Sequence, residues 1–441
     1  MKSSKHLLAA AVAATFMVPM SASATNGYFG IAYGAKARAV AGASTALPQD
    51  SMAAAVNPAG MAHVGERADL NVEVFSPIRN ATSAMGGGNL RSDSGMNGFI
   101  IPSGGYVRNI DDQLTAGITI YANGGMNTSY DNDNGGFNLF GAQTTLGVDL
   151  AQLIFAPTIA YKLNDNHTVG ASLLVGYQRF KAYGLQNFCA LKASGCGTGP
   201  GSAVGNSGLT NQGYDDAWGY GLRVGWQGKM SDNVTLGAAY SSKIYMDEFS
   251  KYDELFAEQG DFDIPANWSI GIAAKVTPKT TVSFDIQQID YSDVKAIANE
   301  GPYTANGGVV LDVVNRGQLG TDNGLGFGWD DMTIFKLGMV YEHDAHFTYR
   351  LGVSHTEQPI DKNNITFNIL APAVVENHVT AGFTYRPTGK DDNEVNVAFM
   401  HALHNEERGD FPQGFGGTPG AGQSRIGMYQ NAVEIGYSWK F

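Results

Sequence analysis

The sequence predicts an all-β chain: a transmembrane antiparallel β-barrel of about fourteen strands with a small N-terminal helical hatch in its lumen. Three observations predict it. The last segment alternates strictly, with Val433, Ile435, Tyr437, Trp439 and Phe441 apolar or aromatic and Glu434, Gly436, Ser438 and Lys440 between them. In a strand the two sets face opposite sides, lipid outside and lumen inside. Such segments recur an even number of times, joined by alternately short and long connections. The remaining stretch before them, rich in Ala and Gly, has no period of two.

Taken in chain order, Lys2 and Lys5 precede an apolar core from Leu7 to Met20, and Ala22-Ser23-Ala24 supplies a small-x-small cleavage site. This reads as a secretory signal peptide over 1–24, too short for a spanning helix, with a mature chain expected from Thr25. Residues 25–66 are expected to be the hatch. Asp50 is placed to cap a short helix through Ser51, Met52 and three alanines to Val56, with Pro58 ending it. A fourteen-strand barrel has a lumen too wide for its own side chains to fill, and this segment is the natural plug.

The barrel is expected over 67–441, with strands near 68–79, 95–108, 112–123, 150–163, 166–181, 213–229, 232–245, 266–276, 279–291, 329–342, 345–356, 375–386, 391–404 and 428–441. The short turns, such as Asn164-Asp165 and Thr277-Pro278, contain Asp, Asn, Ser, Gly or Pro, which supply turn geometry. Short periplasmic turns opposite long extracellular loops put both termini on the periplasmic side. Parity makes Arg223, Lys336 and Arg350 luminal, because a charge against lipid at the midplane costs about 2–4 kcal/mol. Between Ile286 and Ile289 the apolar phase slips, which predicts a β-bulge near Gln287 and Gln288.

Composition agrees with an outer-membrane barrel. Charged residues make up 16% of the chain, and the hydrophobic fraction, 43%, is spread by alternation rather than gathered in apolar runs. A formal charge of −13 argues against nucleic acid as a partner. Cys189 and Cys196 lie in one Gly/Ser-rich loop and are placed to form a disulfide in an oxidising compartment; two thiols alone make half a metal site. No cofactor motif and no metal site are expected.

Gly34-Ala35-Lys36-Ala37-Arg38-Ala39-Val40-Ala41-Gly42, then Asp50, then Asn57-Pro58-Ala59-Gly60 resemble the N-terminal hatch of the FadL-type outer-membrane transporters of long-chain fatty acids and aromatic hydrocarbons. Asp263-Ile264-Pro265-Ala266-Asn267-Trp268, Gly326-Phe327-Gly328-Trp329-Asp330-Asp331-Met332 and Tyr349-Arg350-Leu351-Gly352-Val353 follow the same pattern. The stretch from Leu370 to Asn377 departs from it, where the family more often has a Pro-Asp-rich turn.

The resemblance implies passive transport of a hydrophobic ligand: capture by extracellular loops, transfer to an internal pocket, hatch rearrangement, and release sideways through a kink in the third strand. Asn57, Pro58 and Ala59 match the hatch motif and are expected to hold a tight turn against the wall. Tyr28, Phe29 and Ile31 are expected at the pocket, or else simply packed between hatch and wall. Gly124 and Gly125 are expected to end the third strand and, with Gly117, to permit the kink, or else the first two simply mark the entry to the loop. Leu185, Phe188 and Leu191, with Leu255, Phe256 and Phe262, are expected to be exposed on the loops as a capture groove, or packed on one another. Lys336 and Arg350, with Arg223 behind them, are candidates for a carboxylate head, or for pairing across the wall or with the plug, where Glu342, Asp285 and Glu434 are available. The expected surroundings are outer-membrane lipid and lipopolysaccharide, and the expected state is a monomer. An outer-membrane phospholipase, a general porin and a surface receptor are the rivals. No Ser–His motif favours the enzyme, and a porin normally has no forty-residue plug.

Overall fold

The computed structural model describes residues 26–83, 90–131, 140, 145–301, 303–305, 308–310, 317–390, 392–412 and 422–441. The leader expected over 1–24 lies outside them. Fourteen strands close into one antiparallel barrel: β1 Arg67–Ser83, β2 Phe99–Asn109, β3 Leu114–Asn127, β4 Thr145–Lys162, β5 His167–Tyr183, β6 Asp215–Ser231 and β7 Val234–Ser241. The second half is β8 Asn267–Thr277, β9 Thr280–Ile289, β10 Met332–Glu342, β11 Phe347–Thr356, β12 Asn377–Tyr385, β13 Asn393–Asp410 and β14 Gln423–Lys440. Each pairs with its sequence neighbour, and β1 also pairs with β14 from Arg67↔Lys440 to Thr82↔Arg425, which removes both sheet edges.

The alternation that defines the strands also sorts their faces. Val72, Val74, Leu222, Val224, Leu351, Val353, Val433 and Ile435 are exposed, and the mid-strand charges Glu73, Arg223, Arg350 and Glu434 of the same strands are buried in the lumen. Exposed Tyr106, Tyr161, Tyr341, Tyr349, Tyr385 and Tyr437 lie beside the short turns, while Trp218, Tyr240 and Trp268 lie near the long loops. These are two aromatic girdles flanking an apolar band. About 9–11 tilted residues cross the bilayer. β1, β5 and β6, with 17 residues each, and β4, β13 and β14, with 18 each, outrun it and lift the long loops clear.

Two expectations about the wall are corrected. No bulge occurs at Gln287 and Gln288: pairing of β9 with β8 and β10 runs unbroken through them, and the β8–β9 shift falls between Lys275 and Thr277. Asp285, Gln287 and Ile289 share the inward face. Ile289 is apolar there because the lumen itself turns apolar toward the loops, so a change of environment mimicked a change of phase. The third strand, for its part, does not end at Gly124 but runs on to Asn127.

Residues 26–66 sit inside the barrel, nearly all buried. They hold a one-turn helix α1, Ala35–Arg38, and two 3-10 turns, Ser51–Ala55 and Pro58–His63. Asp50 accepts from the Met52 N–H at 3.0 Å, as its capping position predicts. Asn57 and Pro58 do more than end this turn. Asn57 caps the second one and Pro58 opens it, where its missing N–H costs nothing.

Candidate functional site

The Asn57-Pro58-Ala59 turn is fastened to the wall by one side chain. Asn57 Oδ1 accepts from the Ala59 N–H at 3.1 Å, while Nδ2 donates to the carbonyls of Thr45 at 2.8 Å and Trp226 at 3.0 Å. This close fit requires that the wall have no side chain opposite. A Cβ on Gly225 would lie 2.1 Å from Asn57 Oδ1, and one on Gly170 would lie 2.4 Å from the Pro58 carbonyl carbon.

The turn-side half of the lumen is an ionic seam. Arg38 of α1 donates to Glu73 and to Glu434, both at 2.6 Å. These two carboxylates are directly opposed on β1 and β14. Glu394 of β13 receives Lys36, Arg67 at 3.5 Å, Arg386 at 3.0 Å and Lys440 at 3.2 Å. Burial, with Arg67 alongside, pulls Lys36 down to about 8; burial and the neighbouring Asp69 push Asp50 up to about 6. Lys336 and Arg350 belong to this half. Lys336 donates to the Ile31 carbonyl at 3.1 Å, and Arg350 to Gln49 at 2.7 Å and Thr384 at 2.7 Å. Arg223 donates to the Ala54 carbonyl and to Tyr121. All three therefore hold the hatch, the plug alternative, and none lies within ion-pair distance of Glu342, Asp285 or Glu434 among the described residues. Lys336 and Arg223 also border a polar cavity with Asp285 and Thr45.

The loop-side half is apolar and aromatic. Tyr28 lies 5.3 Å from Phe29, 5.4 Å from Tyr291, 6.2 Å from Phe262 and 6.1 Å from Trp329, ring to ring. Phe262 in turn lies 4.8 Å from Phe256, which lies 4.8 Å from Phe180. The result is a continuous run of rings from the loops to the start of the hatch. Ile31 is not part of it, packing with Ala32, Ala37 and Ala41 inside the hatch.

Leu185, Phe188, Leu255 and Phe256 line one cavity with Phe367, Leu370 and other apolar side chains. Leu191 packs behind it, its carbonyl accepting from Leu319 at 3.0 Å. The six apolar loop residues are buried, not exposed, because the long loops fold across the barrel mouth. Cys189 and Cys196 are joined by a disulfide in this lid. Sequence reasoning passed over Tyr291 and Trp329 as rings of the lumen, since it placed them at the ends of the strands near 279–291 and 329–342, whereas those strands run only Thr280–Ile289 and Met332–Glu342.

The wall is interrupted beside Tyr28. β2 pairs with β1 from Val107 to Phe99, but with β3 only over Gly104–Asn109. The β3–β4 register shifts between Ala122 and Gly124, leaving Asn123 as a bulge. The hatch terminus occupies the vacated edge: Gly30 N–H donates to Asn123 at 2.9 Å, and Gly125 N–H to Tyr28 at 3.0 Å. A Cβ on Gly124 would fall 1.7 Å from the Tyr28 carbonyl oxygen. Gly117 plays no part in the break. Its pairing is continuous on both sides, and its bare Cα makes room for Met61 of the hatch.

Fold and site together define a plugged outer-membrane β-barrel, with an ionic seam below an apolar lumen and a break in its wall. Residues 9–410 match the family described as outer membrane protein transport protein (OMPP1/FadL/TodX), and the chain belongs to it. It is 22% identical over 370 residues to the long-chain fatty acid transport protein of Escherichia coli O157:H7, covering 76% of each chain. The counterpart from Salmonella typhi is 21% identical over 357 residues, covering 76% of this chain and 75% of the relative. Among solved structures, the P. putida toluene transporter TodX superposes with a TM-score of 0.67 at 19% identity, over 93% of this chain and 99% of TodX. A Pseudomonas aeruginosa FadL homologue gives 0.68 at 16% identity, over 94% and 100%. At these identities the structures establish the fold alone.

Proposed function

We propose that this protein carries hydrophobic molecules, long-chain fatty acids foremost, passively across the outer membrane as a monomer with both termini in the periplasm. The observation that carries the reading is the unbroken aromatic run from the loop cavity to Tyr28, ending where β2 and β3 part. Ligand settles in the cavity lined by Leu185, Phe188, Leu255 and Phe256. It moves down the rings of Phe256, Phe262 and Tyr28 by exchanging one apolar surface for another, without meeting water. Withdrawal of the Tyr28–Gly30 edge from β3 opens the wall sideways, while the ionic seam keeps ions from leaking beneath. Lipopolysaccharide hinders direct dissolution of such molecules in the outer leaflet, and a wet pore would give them no favourable path.

A flat monoaromatic ring also suits the cage of Tyr28, Phe29, Tyr291 and Trp329, and toluene is the second cargo to test. The test is uptake of labelled oleate and labelled toluene by cells lacking their own transporter, with and without this protein and with Asn57→Ala. Saturable uptake of oleate that falls several-fold in the variant is expected. Removing this cap costs about 0.5–2 kcal/mol in hatch stability, beyond the loss of the hydrogen bonds to Thr45 within the hatch and Trp226 of the wall. No uptake of either ligand by a folded barrel in the outer membrane would overturn the reading.

A further inference from the structure

We propose that Arg79 is a carboxylate-recognition site set at the break in the wall, so that the favoured cargo is an amphipathic carboxylate and not a neutral hydrocarbon. The inference rests on the transport reading above and adds a head-group site to it. Arg79 shares inward parity with Phe75 and Pro77 and is 5% exposed. It borders a small cavity with Phe75, Met126, Trp329 and Met428, in the apolar half of the lumen.

Its bonding differs from that of the cations in the seam. Lys36, Arg38 and Arg67 each meet a carboxylate, and Arg223, Lys336 and Arg350 are engaged by the hatch or the wall around it. Among the described residues no carboxylate lies within ion-pair distance of Arg79. Its Nη1 and Nη2 donate to two neutral acceptors, the carbonyls of Asn127 and Met96. The Phe99 ring lies 5.9 Å from the guanidinium carbon. Nε is buried with no acceptor.

A buried guanidinium held only by neutral carbonyls retains most of its desolvation penalty. A carboxylate offers two charged oxygens to a guanidinium edge and relieves that penalty, whereas a hydrocarbon or an alcohol does not. The location adds direction. Asn127 is on β3 and Met96 just precedes β2, so the side chain reaches from β1 across the interval where those strands do not pair. A head group bound at Arg79 leaves its tail among Trp329 and Met126, next to the Tyr28–Gly30 edge.

The experiment measures binding of oleate, oleyl alcohol and toluene to the purified full-length barrel for wild type, Arg79→Met and Arg79→Lys, with heat-modifiable migration as the folding check. Wild type is expected to favour oleate over oleyl alcohol by about 10- to 100-fold, the range of a hydrogen bond to a charged group. Arg79→Met is expected to bring that ratio close to unity, and Arg79→Lys to keep part of it. Equal loss of both oleyl ligands in folded Arg79→Met, or a wild-type ratio near unity, would overturn the assignment while leaving hydrophobic transport standing. Failure of wild type to bind any of the three would overturn both.

Discussion

Arg38→Met tests the idea that the hatch is held by charge. In the native lumen one guanidinium bridges Glu73 and Glu434, and all three side chains are at most 3% exposed. The two carboxylates face each other across the β1–β14 pair, an arrangement that repels when no cation lies between them. Methionine keeps the volume of the arginine stem but leaves both carboxylates buried and unpaired. Breaking a buried ion pair from one side costs about 3–5 kcal/mol. That lowers the docked-to-undocked ratio of the hatch by about 10²- to 10⁴-fold.

The assay is ion conductance in planar bilayers across a urea series, since an undocked hatch opens a wet path. Arg38→Met is expected to conduct at much lower urea than wild type, while the barrel itself melts unchanged because its ladder bonds are intact. The triple variant Arg38→Met, Glu73→Gln, Glu434→Gln should recover most of the loss, because it removes the stranded charges as well as the bridge. Wild-type conductance in the single variant, or no recovery in the triple, would refute the reasoning.

Gly124→Ala should expel the Tyr28–Gly30 edge from β3, because the new methyl meets the Tyr28 carbonyl; altered oleate uptake with unchanged ion conductance and an unchanged hatch docking midpoint is the expected signature, since the ionic seam stays closed. In the loops, burial and neighbouring Asp263 raise Asp261 to about 7. Its folded form therefore holds a proton that the unfolded chain, titrating near 4, releases. Loop stability should be greatest below about pH 4 and decline as pH rises toward 7; hydrogen exchange across 244–264 between pH 5 and pH 8 reads this, and Asp261→Asn should flatten it. Replacing Cys189 and Cys196 together by Ser should cost about 2–3 kcal/mol of local loop stability, seen as faster proteolysis of 184–212 with the barrel melting point unchanged.

Much of the wall was legible because lipid and lumen impose a strict period of two. Leu351 and Val353 against Arg350, or Trp218 and Leu222 against Arg223, declare their faces without further help. The period fails where the solvent on the inner face changes. Ile289 looked like a slip of phase only because a luminal position near the loops is apolar, as it is at Phe75 and Met428. Roles within the lumen were less legible than faces. Parity makes Lys336 and Arg350 luminal, but not that the hatch carbonyl of Ile31 and the Gln49 side chain would meet them first. Pairing of Arg38 with Glu73 and Glu434 joins residues 35 and 396 positions apart, and only closure of β1 on β14 brings them together. Arg79 carries the same sequence signal as Arg67, an inward cation on β1. What separates them is Asp69 beside one and only backbone carbonyls at the other.

The division of the lumen has a consequence best put as miscibility. The loop-side half is a solvent for greasy cargo; the ionic seam beneath it is a non-solvent. Filling the barrel with hydrocarbon chains swells the first phase and cannot wet the second, since an alkyl group gains nothing among Arg38, Glu73, Glu434 and Glu394. However concentrated the cargo outside, it cannot dissolve its way past the plug. The boundary between the two phases falls at residues 28–31, where Tyr28 and Phe29 lie in one and the Ile31 carbonyl is bound by Lys336 in the other. Four residues of backbone thus form the interface at which, on the proposed lateral route, cargo turns from the barrel axis toward the membrane.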